Sequence, residues 1–238
     1  MNQSTEKKIV VVGSASIDMI TKVSHLPKLG ETVMGHDFQT LPGGKGANQA
    51  VAARRTGGNV SFIACLGDDS FGEEAIAGYV RDGINVSNIV KVQNQQTGIA
   101  QIMVDTNGCN MIGVFPGANA CLTPEKIIEK QDLLKQADII LVQLEIPMET
   151  VVTTVQIASE FKKTVILNPA PAKTLPEFIY SKIDYIVPNE TEAELLTGVK
   201  IEKEFDAKQA ADILLNKGAK RVIITLGSKG AYYADATE

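Results

Sequence analysis

Six apolar runs recur along this chain, and each is continuous where a half-buried strand would alternate: KIVVVG (8–13), NVSFIACLG (59–67), ADIILVQLE (137–145), TVILN (164–168), IDYIVPN (183–189) and RVIITLG (221–227). Continuous runs of this length mark strands covered on both faces, the arrangement of a parallel sheet between helices. Helix-length segments stand between them at 46–57, 70–82, 124–135, 149–160, 191–197 and 206–217. Such alternation requires right-handed crossovers and gathers ligands at the carboxyl ends of the strands. Nearly every notable polar motif of the chain follows a predicted strand end. The expected class is therefore α/β with a mainly parallel sheet.

Two segments break the rhythm. Residues 18–42 and 96–116 carry strand-like stretches joined by turns such as Thr106-Asn107-Gly108, with no helix between them. They are expected to form a small antiparallel sheet beside the main domain, a lid over the strand ends. The 238 residues suffice for one substantial domain with such an appendage. After TLGSKGAYYADATE a further strand begins and no helix closes it. The expectation is a single domain over residues 1–238 whose C-terminal part is missing.

Charge and cysteine usage exclude several classes. The net charge is −5, and no run of Lys and Arg exceeds two residues, so a nucleic-acid partner is not expected. Cys65, Cys109 and Cys121 are odd in number and lack a C-x-x-C spacing, which reads as reduced thiols in a cytoplasmic protein. No window approaches a membrane span, and the N-terminus has no cleavage-site pattern. The two histidines, His25 and His36, both fall in the first lid segment, far from any serine or cysteine arrangement that would make a hydrolase. Zinc is excluded because no Cys/His cluster has ligand spacing.

The loop LPGGKGANQA (41–50) fits neither the P-loop pattern nor G-x-G-x-x-G. It leads into a helix whose free N–H groups and positive dipole end suit an electron-rich ligand, with Lys45 adding a cation and Asn48 a two-sided hydrogen-bonding amide. A turn or close-packing site without ligand is the alternative. In PNETEAELLTG, Asn189 and Glu192 have capping-box spacing ahead of Leu195 and Leu196.

Together these blocks carry a resemblance. GGKGANQAVAARRTG is similar to the first signature of the ribokinase-like (PfkB) family of sugar kinases, and its Lys and ANQA match the ribokinase branch. VVVGSASIDMI, PKLGETVMG, GDDSFGEEA, GANACLTPE, QLEIP, LNPAPA, PNETEAELLTG and ITLGSKG follow in the family's order over essentially the whole chain. The resemblance implies a three-layer α/β/α fold with a β lid, and ATP-dependent phosphorylation of D-ribose at its 5-hydroxyl to ribose 5-phosphate, with Mg²⁺ and K⁺. It also implies a homodimer through the lid.

By the same resemblance Asp18, Gly43, Gly44, Lys45, Asn48 and Glu145 bind the sugar, and Ala100, Ile102 and Val114 cover it. Ser16 stands where the family usually has asparagine, which shortens one sugar contact. Deoxyribose, another sugar or a nucleoside is therefore an alternative acceptor. Asn189, Thr225 and Gly227 match nucleotide contacts, and Glu192 matches a carboxylate holding Mg²⁺ through waters. Each position also has a plain reading: Asp18 a turn former, Lys45 a solvated lysine, Glu145 a strand-end charge, Ala100, Ile102 and Val114 lid core, Thr225 and Gly227 a strand ending in a turn. The family's second signature, Asp-Thr-x-x-Ala/Gly-Gly-Asp, is absent from the chain. The resemblance thus places the catalytic base and the K⁺ loop beyond residue 238 and implies that the 238-residue chain is inactive. A sugar-binding homologue without catalysis is the reading from another class.

Overall fold

The computed structural model describes residues 6–235. Its first half holds strands β1 (Lys8–Val12), β2 (Ser16–Val23), β3 (Gly35–Gly43), β4 (Asn59–Ile63), β5 (Cys65–Gly67), β6 (Val90–Val92), β7 (Gly98–Val104) and β8 (Asn110–Phe115), with helices α1 (Lys45–Arg55) and α2 (Ser70–Arg81). The second half adds helices α3 (Pro124–Ile128), α4 (Gln131–Gln136), α5 (Met148–Glu160), α6 (Glu190–Thr197) and α7 (Glu204–Asn216). Among them run strands β9 (Ile139–Val142), β10 (Thr164–Leu167), β11 (Tyr185–Ile186), β12 (Arg221–Thr225) and β13 (Ala231–Asp235).

The central sheet has the order β13-β12-β11-β10-β9-β1-β4. Every pairing in it is parallel except β12–β13. Along β1 the side chains divide between two cores. Val10 and Val12 face the larger one with Ile127, Leu134 and Val151 of α3, α4 and α5, while Val11 faces the smaller one with Ala47 and Ala50 of α1 and Ala75 and Tyr79 of α2. Burial on both faces is why β1 reads as an unbroken apolar run. The three-layer α/β class expected from the sequence is thus the observed one. Because β4 and β9 flank β1 on opposite sides, the strand order reverses there, which opens a crevice above the carboxyl ends of β1 and β9.

Three segments differ from the single unbroken elements expected of them. The run 59–67 divides: the Gly13 N–H closes the β1–β4 ladder on the Ile63 carbonyl (3.1 Å), and the chain then leaves the sheet as β5 to pair with β6. The run 183–189 contributes only Tyr185 and Ile186, because Pro188 has no N–H to continue the ladder. The helical segment 124–135 becomes α3 and α4, separated where Lys130 leaves helical geometry (φ −109°, ψ 14°).

The lid is a four-stranded sheet of order β3-β2-β7-β8. Its outer pairings are antiparallel as expected, but the central β2–β7 pairing is parallel. The reason is connectivity: β2 and β7 are joined through α1, β4 and α2 of the main domain, so both strands leave that domain in the same direction. Several lid side chains are exposed, among them Phe38, Met111, Ile112 and Phe115. No helix among the described residues is long and apolar enough to cross a membrane.

Candidate active site

The crevice above β1 and β9 is walled by the start of α1. No side chain of Gly44 can cap that helix, and three of its first N–H groups are satisfied from elsewhere in the chain. Lys45 N–H donates to Glu145 Oε2 (2.9 Å), Gly46 N–H to Ser14 Oγ (3.2 Å), and Ala47 N–H to the Ser14 carbonyl (2.8 Å). Ser14 Oγ in turn donates to the same Glu145 oxygen at 2.5 Å. A carboxylate at a helix N-terminus is favoured by the helix dipole, so Glu145 belongs to the fold as much as to the cavity. This corrects the expectation that the amides opening α1 are free for a ligand. They are occupied by Ser14 and Glu145, both at the ends of neighbouring strands.

Gly44 and Gly43 let the wall close. Gly44 has φ 90°, and a Cβ there would lie 2.9 Å from the Ser16 backbone nitrogen. At Gly43 a Cβ would lie 2.1 Å from Asp18 Oδ1, so the missing side chain is the space that the Asp18 carboxylate fills.

A cavity of about 490 Å³ opens between this wall and the lid. Of the ten residues that the sequence assigns to the sugar, Ser16, Asp18, Gly44, Lys45, Asn48, Ala100, Ile102, Val114 and Glu145 line it. Gly43 does not; it stands behind Asp18. The cavity also takes Ile112, Pro116, Asn119, Pro171 and Lys173, which sequence reasoning did not single out. Buried Asn119 pairs with Ala15 as a strand would, accepting its N–H (2.9 Å) and donating to its carbonyl (3.0 Å), and it also donates to Ser16 Oγ (3.1 Å). Lys173 Nζ donates to the Leu144 carbonyl (2.7 Å) beside Glu145.

Burial raises the Asp18 carboxyl above its ordinary range, and the charge of Glu145 raises it further, while Lys45 opposes both. Lys45 Nζ stands 3.7 Å from Glu145 Oε1, the oxygen that Ser14 and the Lys45 amide do not use. Two carboxylates and the Lys45 ammonium thus face one cavity together with apolar lid residues, Ala100 standing directly opposite Asp18 in the β2–β7 pair. Carboxylates suit hydroxyl groups, since each accepts more than one hydrogen bond.

Lys45 also lines a second cavity, of about 390 Å³, above the ends of β9 to β12 with Gln49, Asn168, Asn189, Glu192 and Thr225. The capping box expected at the start of α6 is present: Glu192 N–H donates to Asn189 Oδ1 (2.8 Å), and Asn189 N–H to Glu192 Oε2 (2.9 Å). Asn189 Nδ2 donates to the other Glu192 oxygen at 3.1 Å. Glu192 is 6% exposed yet reaches the cavity, where it is the carboxylate in the lining. Among the described residues no group of three or more His, Cys, Asp or Glu could hold a metal. A magnesium ion carried by phosphates keeps most of its waters and needs one or two protein carboxylates, so Glu192 with the Lys45 ammonium and the nearby amides fits such a group. Gly227 is not brought to this cavity. It opens a short 3₁₀ turn, Gly227–Lys229, beyond the end of β12 at Thr225. The catalytic base and the K⁺ loop implied by resemblance lie outside the described residues.

Residues 6–238 match the family model described as pfkB family carbohydrate kinase. A ribokinase of Haemophilus influenzae is 42% identical over 226 residues, covering 95% of this chain and 74% of the relative. A deoxyribokinase of Salmonella typhi is 39% identical over 226 residues, covering 94% and 74%. The solved structure of Arabidopsis thaliana ribokinase complexed with ribose and ATP superposes with a TM-score of 0.88 at 33% identity, covering 98% of this chain and 76% of that one. The glycine-flanked Lys45 with its capping carboxylate, the lid and the two cavities that share Lys45 are therefore features of a member of this group: the chain belongs to the pfkB family of carbohydrate kinases.

Proposed function

We propose that the protein is an ATP-dependent sugar kinase that transfers the γ-phosphoryl group to the 5-hydroxyl of D-ribose. The observation that carries this reading is that Lys45 belongs to both cavities, one bearing Asp18 and Glu145 and the other Asn189 and Glu192. Phosphoryl transfer asks the protein to align acceptor and donor and to neutralise charge between them, and little else. Asp18, Glu145 and Asn48 orient the sugar hydroxyls, with Ser16 held by Asn119 at one side. Ala100, Ile102 and Val114 cover the sugar from the lid and exclude water. Lys45 stands between the reacting groups and offsets the developing charge. Asn189 and Thr225 contact the phosphates, and Gly227 lies toward the nucleotide's far end. Glu192 would hold Mg²⁺ through waters; when bound, that ion neutralises phosphate charge. A K⁺ ion and the general base belong to this reading through the family resemblance alone.

Residues 1–238 act here as one ribokinase-like unit with segments 18–42 and 96–116 as its lid, in the cytoplasm, where the three unpaired cysteines stay reduced. The exposed apolar side chains of the lid support a homodimer through it. Light scattering at micromolar concentration tests that point, and a monomer mass refutes it.

The test of the function is an acceptor panel. The intact protein, ATP and Mg²⁺ are incubated with D-ribose, 2-deoxy-D-ribose, other pentoses and nucleosides, and phosphate transfer is followed by ³¹P NMR. D-ribose is expected to give the highest kcat/KM. Two observations favour a second reading: Ser16 presents a short hydroxyl to the cavity, and a relative is named a deoxyribokinase. A panel led by 2-deoxy-D-ribose selects that reading. Sugar binding without transfer to any acceptor selects the non-catalytic homologue.

A further inference from the structure

A chain of three carboxamides crosses from α1 to the ends of the central strands, with Gln49 and Asn168 in the wall of the second cavity and Gln143 buried behind them, and its direction is fixed from one end. Asn168, just past β10, donates Nδ2–H to the Val187 carbonyl at 2.9 Å. Its Oδ1 is then the acceptor for Gln49 Nε2 at 3.2 Å. Gln49 in turn offers Oε1 to Gln143 Nε2 at 2.6 Å. Since the Val187 carbonyl can only accept, reversing any one amide sets oxygen against oxygen or N–H against N–H. The chain ends at Gln143 Oε1, which is buried and has no partner among the described residues. A Cβ on Gly13 would lie 1.9 Å from that oxygen, so Gly13 leaves the room it occupies.

At Gln143 an apolar side chain of the same shape would serve stability at least as well, because that residue is fully buried and its unfilled acceptor costs free energy. The polar chain needs a reason other than stability, and its position supplies one. Gln49 follows Lys45 by one helical turn on α1 and so shares its face. Gln143 precedes Glu145 on the same strand end. Asn168 and Val187 stand at the ends of the β10 and β11 segments, and Val187 leads through Pro188 into the Asn189–Glu192 box. Gln49 and Asn168 thus line the second cavity, Gln143 lies next to Glu145, and the links join α1 to the ends of β10 and β11.

We propose that Gln49 and Asn168 are positioning residues that hold α1, and with it Lys45, at one setting against the ends of β10 and β11, so that filling the sugar cavity tightens the phosphate cavity and the reverse. This inference rests on the kinase reading above. Coupling of this kind is reciprocal and is measured as a ratio of affinities.

The experiment titrates β,γ-methylene ATP with Mg²⁺ into the protein by calorimetry, with and without saturating D-ribose. It compares the wild type, Gln49→Met, Asn168→Leu and the double variant. The wild type is expected to bind the analogue about fivefold or more tightly when ribose is present. Each single variant brings this ratio close to one, and the double variant brings it no further, as for groups acting in one chain. Should Asn168→Leu fail to fold, Gln49→Met decides alone, since Gln49 is only half-buried. A Gln49→Met ratio within about twofold of the wild-type ratio overturns the proposal, as does a wild-type ratio of one. A wild type that binds both ligands without coupling sinks this inference and leaves the kinase reading standing; one that binds neither overturns both.

Discussion

Replacing Glu145 by alanine separates its two roles. The change removes the acceptor of the Lys45 amide and of the Ser14 hydroxyl, both partly buried. A donor left without a partner costs about 1–3 kcal/mol when buried, and partial solvent access places each of these near the low end, for a loss of about 2 kcal/mol. In a domain of this size 1 kcal/mol moves the midpoint by about 2–4 °C, so Tm is expected to fall by about 4–8 °C. Glu145→Gln keeps one acceptor oxygen but loses the favourable charge at the helix N-terminus, a loss of about 0.5–1 kcal/mol, and Tm falls by about 1–4 °C. Differential scanning calorimetry without ligand reads both. D-ribose affinity, measured by calorimetry on the same samples, is expected to fall about tenfold or more in each variant, the cost of one charged hydrogen bond. An alanine variant that melts with the wild type while losing ribose refutes the capping argument and leaves Glu145 a ligand group only. The reverse result, a lowered Tm with ribose affinity intact, removes Glu145 from the sugar site.

Asp18 is expected to behave in the opposite way. Its carboxyl is raised in the fold by burial and by Glu145, so the folded state holds its proton to higher pH than the unfolded chain; this contribution to stability is greatest in acid and falls as pH rises from about 3.8 through the raised value. Asp18→Asn is therefore expected to melt at or above the wild-type Tm at neutral pH, to match it in acid, and to bind ribose at least tenfold more weakly, as calorimetry will show. Lys45→Met removes the one group that lowers Asp18, so the acid limb of ribose affinity against pH moves upward; an unmoved limb contradicts the pairing. Gly43→Ala forces a methyl into the Asp18 carboxylate, which lies 2.1 Å from the Cβ position, and is expected to cost about 1–3 kcal/mol in urea unfolding and to weaken ribose binding with it. Glu192→Gln is expected to weaken the Mg²⁺ dependence of nucleotide affinity, and, because both Glu192 oxygens accept from Asn189, to leave one buried donor unpaired at a cost of about 1 kcal/mol, or about 2–4 °C in Tm.

The sheet was legible because burial on both faces writes itself as continuous apolar runs, and β1 with its Val10, Val11 and Val12 is the plainest case. The ends of strands were less so. Ile63 and Cys65 are equally apolar and equally buried, yet belong to different sheets, and only the partner that each finds across the fold separates them. The parallel pairing of β2 with β7 was hidden for the same reason, since strand direction depends on the path of the intervening chain. At the site, charged and glycine residues stood out in sequence because their types are costly to misplace. Four amides did not: Asn119, Gln49, Gln143 and Asn168 are ordinary residues whose roles lie in which backbone or side chain they meet. Their motifs, ANQA, QLE and LNPAPA, were visible as blocks, but nothing local in them tells which side chain faces a cavity and which faces a neighbour. The amides of α1 were misjudged because Ser14 and Glu145, which occupy them, sit 131 residues apart in the chain.

The lid has no independent stalk. Only three residues separate the end of β1 from the start of β2, and β3 runs through Gly43 and Gly44 straight into the first turn of α1. Two of the connections that tie the outer sheet to the main domain thus carry Ser14 and Lys45, and β2 itself carries Asp18. A cover tethered so closely cannot shift over the cavity without carrying part of the grip with it, because door and hand are cut from the same ribbons.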